Sequence, residues 1–500
     1  MKSSKGTLFI RIIAFALVAL TALSAVACAG PASSGNDTTP PAGDAVTTAP
    51  TADTTEPATT VKEYVTPDLY YDSADYNILV CCPVSNGVNP FAHSDTRLVL
   101  DNAVYMRNAA VAEELGVVFN VIFDHSSDSS GNGAGAKRIN ADYTSGDGAY
   151  DSCLITAYDC ANLATSGRLA DLMEVPGIDL EMDYWDQNAR EQLAINKKLY
   201  FTTGDISYND KDYTFAVIFN KQIAKDKDLG DLYSLVTDNK WTFDAFAEIS
   251  RKVSEDLNGD DIMDSRDKYG LILWDDTMLP MVTASGQKII TLNDGVPELT
   301  LNNETTTNIV EKYVALASES CSINFQHMSG GVSWQDMFTK GQGLFLLEYF
   351  KALPLFRDTK LEYGLLPFPK YDEAQEQYYS GMSVWHTSFY CIPAFPGDME
   401  CSGAVSESLA YHSEKMVTPA YYEKTLVGRY VTDTESGEML DLIFDNRIYD
   451  LGLYYRTGSL NSMLILMLRN KQTGFASEYA KKQALAEKAL EDLKDWFEIE

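Results

Sequence analysis

One short acidic stretch carries the sharpest chemical pattern: Asp256-Leu257-Asn258-Gly259-Asp260-Asp261-Ile262-Met263-Asp264-Ser265-Arg266-Asp267. Side-chain oxygens recur through it on Asp256, Asn258, Asp260, Asp264 and Asp267, and Ile262 can offer its backbone carbonyl between them. Calcium takes a shell of many oxygens, and a tight loop with ligands at alternate positions supplies one, as in an EF-hand loop. Two departures from that pattern stand out. Asp261 occupies the position of the usual turn glycine, although aspartate tolerates the left-handed conformation better than most residues. Asp267 closes the loop in place of the longer glutamate. The stretch is therefore expected to bind Ca²⁺ in a structural role, between a helix and a strand. The plain alternative is a solvated acidic turn.

No catalytic constellation accompanies it. The five histidines, His93, His125, His327, His386 and His412, are scattered. No Gly-x-Ser-x-Gly, His-Glu-x-x-His or phosphate-cradling glycine loop occurs. No organic cofactor is expected. Seven cysteines follow Cys28, an odd number without a Cys-x-x-Cys pair, so buried thiols are expected rather than a disulfide framework.

The elements that must position any site alternate between strand and helix signals. Tyr76–Val80, Val117–Phe123 and Tyr150–Ile155 are short apolar runs that predict strands. Helical patterns at 101–115, from about Gly135, and at 160–164 lie between and after them. This βαβαβα order predicts a parallel sheet of α/β type. Strands are also predicted at 213–220, 269–274 and 343–349. A helix should open after Trp241 with Thr242 as its N-cap. From Glu407 onward helical patterns dominate. The last is expected to run from a Ser477 cap, with Leu485, Leu490, Leu493 and Trp496-Phe497 roughly on one face.

The chain has 500 residues and a formal net charge of −33, which argues against nucleic acid or an anionic membrane surface as partner. Lys2, Lys5 and Arg11 precede or open an apolar run, Ile12 to Leu20, that fades towards Ala27. This is a signal peptide over residues 1–27, too short to span a membrane comfortably. Ala25-Val26-Ala27-Cys28 fits ordinary cleavage after Ala27. It also resembles a bacterial lipobox, in which Cys28 would carry lipid. The following Thr/Pro/Ala/Ser-rich stretch cannot bury a core and is expected to be a disordered spacer over 28–70, which favours the lipoprotein. The remaining chain is too long for one core, so two lobes are expected.

Several segments, in order, resemble the extracellular solute-binding proteins of ABC importers, the sugar- and oligosaccharide-binding type. They are Ser166-Gly167-Arg168-Leu169-Ala170-Asp171-Leu172, Lys197–Phe201, Val217–Lys221, Lys240–Phe246, Phe338–Gly343 and Leu366–Lys370. The resemblance implies an α/β, two-lobed periplasmic-binding-protein-like fold of type II. Its lobes are discontinuous in sequence and joined by hinge crossovers. We place lobe 1 at 71–205 plus 338–385, lobe 2 at 206–337 plus 386–500, and the crossovers near 200–212, 328–340 and 378–392. It also implies a monomer that closes on a small solute and delivers it to the permease subunits of an ABC transporter. The expected address is the outer face of a Gram-positive cell membrane.

In open α/β sheets, ligands sit beyond the carboxyl ends of the strands. That rule selects Asn89, Tyr158, Asp159, Trp274, Asp275, Glu348, Tyr349 and Trp385. Aromatic planes against sugar faces, with carboxylates and amides on the hydroxyls, suit a carbohydrate. An isolated aromatic is more often core than ligand platform, so position carries this choice. A carbohydrate-active enzyme and a surface sensor or adhesin subunit are the rival readings, because a carboxylate pair for glycoside hydrolysis is not recognisable from sequence alone.

Overall fold

Three parallel strands open the described chain; the first, which is central, and the third are buried, and the second, at the sheet edge, is partly exposed through Val118 and Phe123. The computed structural model describes residues 62–82, 91, 99–125, 130–357, 359–422 and 434–499. The expected signal peptide, nearly all of the spacer, Cys28 and Asn89 lie outside them. Strand β1 (Ala74–Cys82) pairs in parallel along its whole length with β2 (Val117–His125) and, on its other side, with β3 (Ser152–Thr156). Parallel neighbours need a crossover, usually helical. Helices α1 (Val99–Leu115) and α2 (Ala134–Ser145) supply these, and α3 (Ala157–Ala164) follows β3 directly.

The segment ahead of β1 is packed rather than free. Tyr64 stacks on Tyr411 and hydrogen-bonds Glu114, and the amide of Tyr71 donates to Leu115 O at 2.8 Å. The spacer therefore ends before Tyr64, not at residue 70. Aromatic side chains with partners hold this stretch down.

The second sheet follows a crossover that contains the short helix α4 (Asn209–Asp212). Thr202 still pairs with the edge of the first sheet through Tyr390, whereas Thr214 already pairs with Met382. Strand β4 (Phe215–Asn220) comes next, then α5 (Phe243–Arg251), capped as expected by Thr242, whose hydroxyl accepts from Ala245 N. Strand β5 (Lys268–Leu273) leads through a 3-10 turn into α6 (Met278–Ala284). Helix α7 (Glu304–Ser318), β6 (Ser322–Asn324), β7 (Gly343–Tyr349) and β8 (Tyr363–Leu366) complete the sheet. Its order is β8-β4-β7-β5, with the two-residue strand Ser254–Glu255 and β6 both also on β5. Strand β7 runs antiparallel to β4 and parallel to β5.

These pairings correct the expected lobe boundaries. Residues 343–366 belong to the second sheet, because β7 lies between β4 and β5 and β8 pairs with β4. Strand β9 (Ser388–Cys391) returns to the first sheet, antiparallel to β3. Helix α8 (Met399–Pro419) packs there on α1, and α9 (Thr434–Asp445) packs on β8 of the second sheet. The chain therefore crosses near 202–214, again at 367–387, and between α8 and α9. Residues 328–340 are not a crossover, since they join two strands of one sheet.

Helices α10 (Leu460–Arg469) and α11 (Phe475–Trp496) close the chain against α6 and α7. The last helix starts at Phe475 after Gly474 rather than at a Ser477 cap. Leu493 and Phe497 are buried as expected, but Leu485 points outward at 54% exposure, and Ala486 takes the inner position. All seven described cysteines are buried thiols outside any disulfide. Among the described residues no helix is long and apolar enough to cross a membrane.

Candidate functional site

Strand ends from both sheets and the returning crossover bring aromatic side chains together. Trp274 follows β5 and Tyr349 ends β7, and their rings meet at 6.1 Å between centroids, nearly perpendicular. Phe215, which the register sets opposite Tyr349, touches both, at 5.9 Å from Trp274 and 5.6 Å from Tyr349. Tyr213, just before β4, lies 5.2 Å from Tyr349 and stacks on His386 at 5.1 Å. His386 accepts from or donates to Ser383 Oγ at 2.9 Å through Nδ1. Its neighbour Trp385 meets Tyr158 edge to face at 5.5 Å. Tyr158 comes from the first turn after β3, so the aromatic chain links the two sheets.

Polar atoms within this chain lack partners. The indole N–H groups of Trp274 and Trp385, the Tyr213 hydroxyl and the Asn461 side-chain oxygen are buried with no hydrogen-bond partner among the described residues. A buried polar group without a partner costs on the order of 1–3 kcal/mol. Such groups belong where a polar ligand or water can meet them.

Glu348, next to Tyr349 at the end of β7, is 4% exposed. Burial pushes its carboxyl up to about 8, opposed by the Tyr349 amide at 3.1 Å and reinforced by the charge of Asp276. Asp276 is itself raised to about 6 by burial and by neighbouring Asp275, with Arg469 acting against the shift. At neutral pH Glu348 is thus a neutral acid, able to donate as well as accept.

Among the expected contacts, Tyr158 meets Trp385 and Trp274 meets Tyr349, and the two pairs are linked through Trp385's neighbour His386, which lies against Tyr349; Glu348 precedes Tyr349 in β7. Two others have structural work instead. Asp159 is fully buried, and its carboxylate accepts from Gly133 N at 2.8 Å and Ala136 N at 3.2 Å, capping the start of α2. Asp275 is also fully buried. It accepts from Asn324 Nδ2 at 2.8 Å and Arg469 Nε at 2.6 Å and pairs with His327 Nε2 at 2.9 Å. It ties α10 to the end of β6. Both carboxylates thus hold protein partners that the strand-end rule does not foresee. Tyr213, Phe215, His386 and Asn461 were not selected from sequence. They come from crossovers, a strand start and a helix start, outside the strand-end rule.

The acidic loop turns tightly on its own hydrogen bonds. Asp261 takes φ +61°, the left-handed conformation its position demands. Asp256 accepts from Gly259 N at 2.7 Å and Asp261 N at 2.8 Å, and these amides hold it below the usual carboxylate range. Asn258 accepts from Asp260 N, Asp260 from Ile262 N, and Asp267 from Leu257 N and Asp264 N. Arg266 reaches back to both oxygens of Asp264 and to Asp260. The oxygens thus face the loop's own amides and a guanidinium. Among the described residues no group of three or more His, Cys, Asp or Glu side chains is disposed to hold a metal ion.

No family profile matches the chain, and no curated protein does. Solved structures match it over most of its length. An ABC substrate-binding protein of Listeria monocytogenes, solved with cycloalternan, is 12% identical, with 86% of this chain and 100% of that one covered at a TM-score of 0.53. A cyclo/maltodextrin-binding protein complexed with maltotetraose is 13% identical, with 84% and 96% covered at 0.54. The maltose/maltodextrin-binding domain of Bdellovibrio bacteriovorus, bound to maltotriose, is 15% identical, with 84% and 99% covered at 0.50. The chain has the two-lobed α/β fold of these binding proteins.

Proposed function

We propose that this chain is an extracellular solute-binding protein, held at the membrane by lipid on Cys28. It captures a neutral sugar or oligosaccharide between its lobes and hands it to the permease subunits of an ABC transporter. One observation carries the reading. Aromatic rings from both sheets adjoin buried indole N–H groups that no described residue satisfies. Aromatic faces suit the apolar faces of pyranose rings, and unpaired donors suit ring-edge hydroxyls. A neutral Glu348 adds no charge that an uncharged ligand would leave uncompensated. The likeness of fold to proteins whose structures contain malto-oligosaccharides and cycloalternan supports the same ligand class.

Titration calorimetry against maltotetraose, cycloalternan, cellotetraose and xylotetraose tests this proposal. Saturable binding without product formation is expected. Hydrolysis of any of them would move the protein to the carbohydrate-active enzymes, and binding of amino acids or peptides alone would end the sugar reading. Mass analysis of the mature N-terminus reads the fate of Cys28.

A further inference from the structure

Helix α10 is preceded by backbone in an unusual state. Arg456 (φ +54°), Gly458 (φ +58°) and Ser459 (φ +57°) all lie in the left-handed region. Two of these are not glycine, and such positions persist only where the surroundings impose them. Packing imposes this one. A Cβ on Gly458 would come within 2.6 Å of Ala486 on α11, so helix and loop are pressed together.

The segment delivers two side chains to Tyr158. The Arg456 guanidinium lies over the Tyr158 ring at 5.7 Å, anchored by a 2.8 Å bond to Ser130 O. Asn461 donates from Nδ2 to the Tyr158 hydroxyl at 3.3 Å. Asn461 is 2% exposed, and the other half of its amide has no partner among the described residues. Exchanging the amide's nitrogen and oxygen would still leave one half unmet. Trp385, on the other flank of the same tyrosine, has an indole N–H in the same condition.

We propose that Asn461 is a ligand-contacting residue, accepting a ligand hydroxyl on Oδ1, and that the left-handed segment Arg456–Ser459 serves to bring it to the cleft. The inference rests on the carbohydrate reading above and adds a third wall, from the C-terminal helices, to a site otherwise built from strand ends and crossovers. It also separates contact from support, since Asn461 could instead act only by holding Tyr158.

A double-substitution cycle decides between those roles. Calorimetry is run with whichever of the four oligosaccharides binds the unsubstituted protein most tightly. Asn461→Ala is expected to weaken binding at least tenfold. The tenfold loss from Asn461→Ala should persist on the Tyr158→Phe background. Asn461→Ser, too short to reach the ligand, replaces the alanine variant where that one does not hold its fold, with the same loss expected. The proposal is overturned if the loss disappears on the Tyr158→Phe background or if Asn461→Ala binds normally. If none of the four oligosaccharides binds the unsubstituted protein, the carbohydrate reading fails and this inference with it.

Discussion

Trp385 stands edge-on to Tyr158 at 5.5 Å, although one residue belongs to the crossover that returns from the second sheet and the other to the first turn after β3. The pair spans the junction of the lobes. Trp385 Nε1 is buried and unpartnered among the described residues, so the protein gains no hydrogen bond from it. Trp385→Phe keeps an aromatic face and removes only that N–H. It should leave the melting temperature nearly unchanged and weaken oligosaccharide binding about tenfold, the effect of one buried hydrogen bond. Trp385→Ala removes the platform as well and should cost more. A large loss of stability in the phenylalanine variant would mean that the indole N–H has a structural role.

Glu348 makes stability depend on pH in a defined direction. Its folded carboxyl titrates near 8, well above its ordinary 4.5. Between those values the folded chain holds a proton that the unfolded chain has released, so stability falls as pH rises through the window. Asp276, raised to about 6, acts in the same direction over a narrower range. The Glu348 contribution is on the order of a few kcal/mol, since each tenfold gain in proton affinity on folding is worth about 1.4 kcal/mol. Glu348→Gln should flatten the dependence, melting close to the unsubstituted protein in acid and above it in mild alkali. Parallel melting curves for the two proteins across the whole range would refute this.

The strands were legible because parallel strands buried on both faces read as unbroken apolar runs, as Ile78 to Cys81 and Leu344 to Leu347 do. Which sheet a strand joins was not. Residues 343–349 carry no local mark that they pair with 215–219, and neither does β9 with β3, because pairing is set by contacts distant in sequence. The same limit applied to the site. The ends of β5 and β7 pointed to Trp274, Glu348 and Tyr349. Asp159 and Asp275 occupy the same kind of position, and only their three-dimensional partners show that they cap and tether. Asn461 had no sequence signal, since its significance lies in the strained turn before it and in Tyr158.

That distinction can be measured. Asp159→Ala strands the amides of Gly133 and Ala136 at the start of α2, and loss of a cap costs about 1–2 kcal/mol. Asp275→Ala removes a buried acceptor from Asn324, His327 and Arg469 and should cost on the order of 1–3 kcal/mol. Both carboxylates are engaged within the protein, so both variants should melt earlier while binding oligosaccharide within about threefold of the unsubstituted chain when fully folded. A tenfold affinity loss in folded Asp159→Ala would return that carboxylate to the ligand site.

Arg266 and a calcium ion would compete for the same carboxylates. Five aspartates lie in 256–267, and the guanidinium of Arg266 pairs with Asp260 and Asp264, the positive charge the loop already contains. A divalent ion can bind only by drawing these oxygens, and those of Asp256 and Asp267, away from Arg266 and the loop amides. Calcium should therefore raise the melting temperature modestly in the unsubstituted protein and more in Arg266→Ala, where the competing cation is gone. Asp260→Ala should abolish the calcium response in both backgrounds. Differential scanning calorimetry with calcium and with chelator reads all four cases. A response absent even from Arg266→Ala would leave the loop as an acidic turn closed by its own amides.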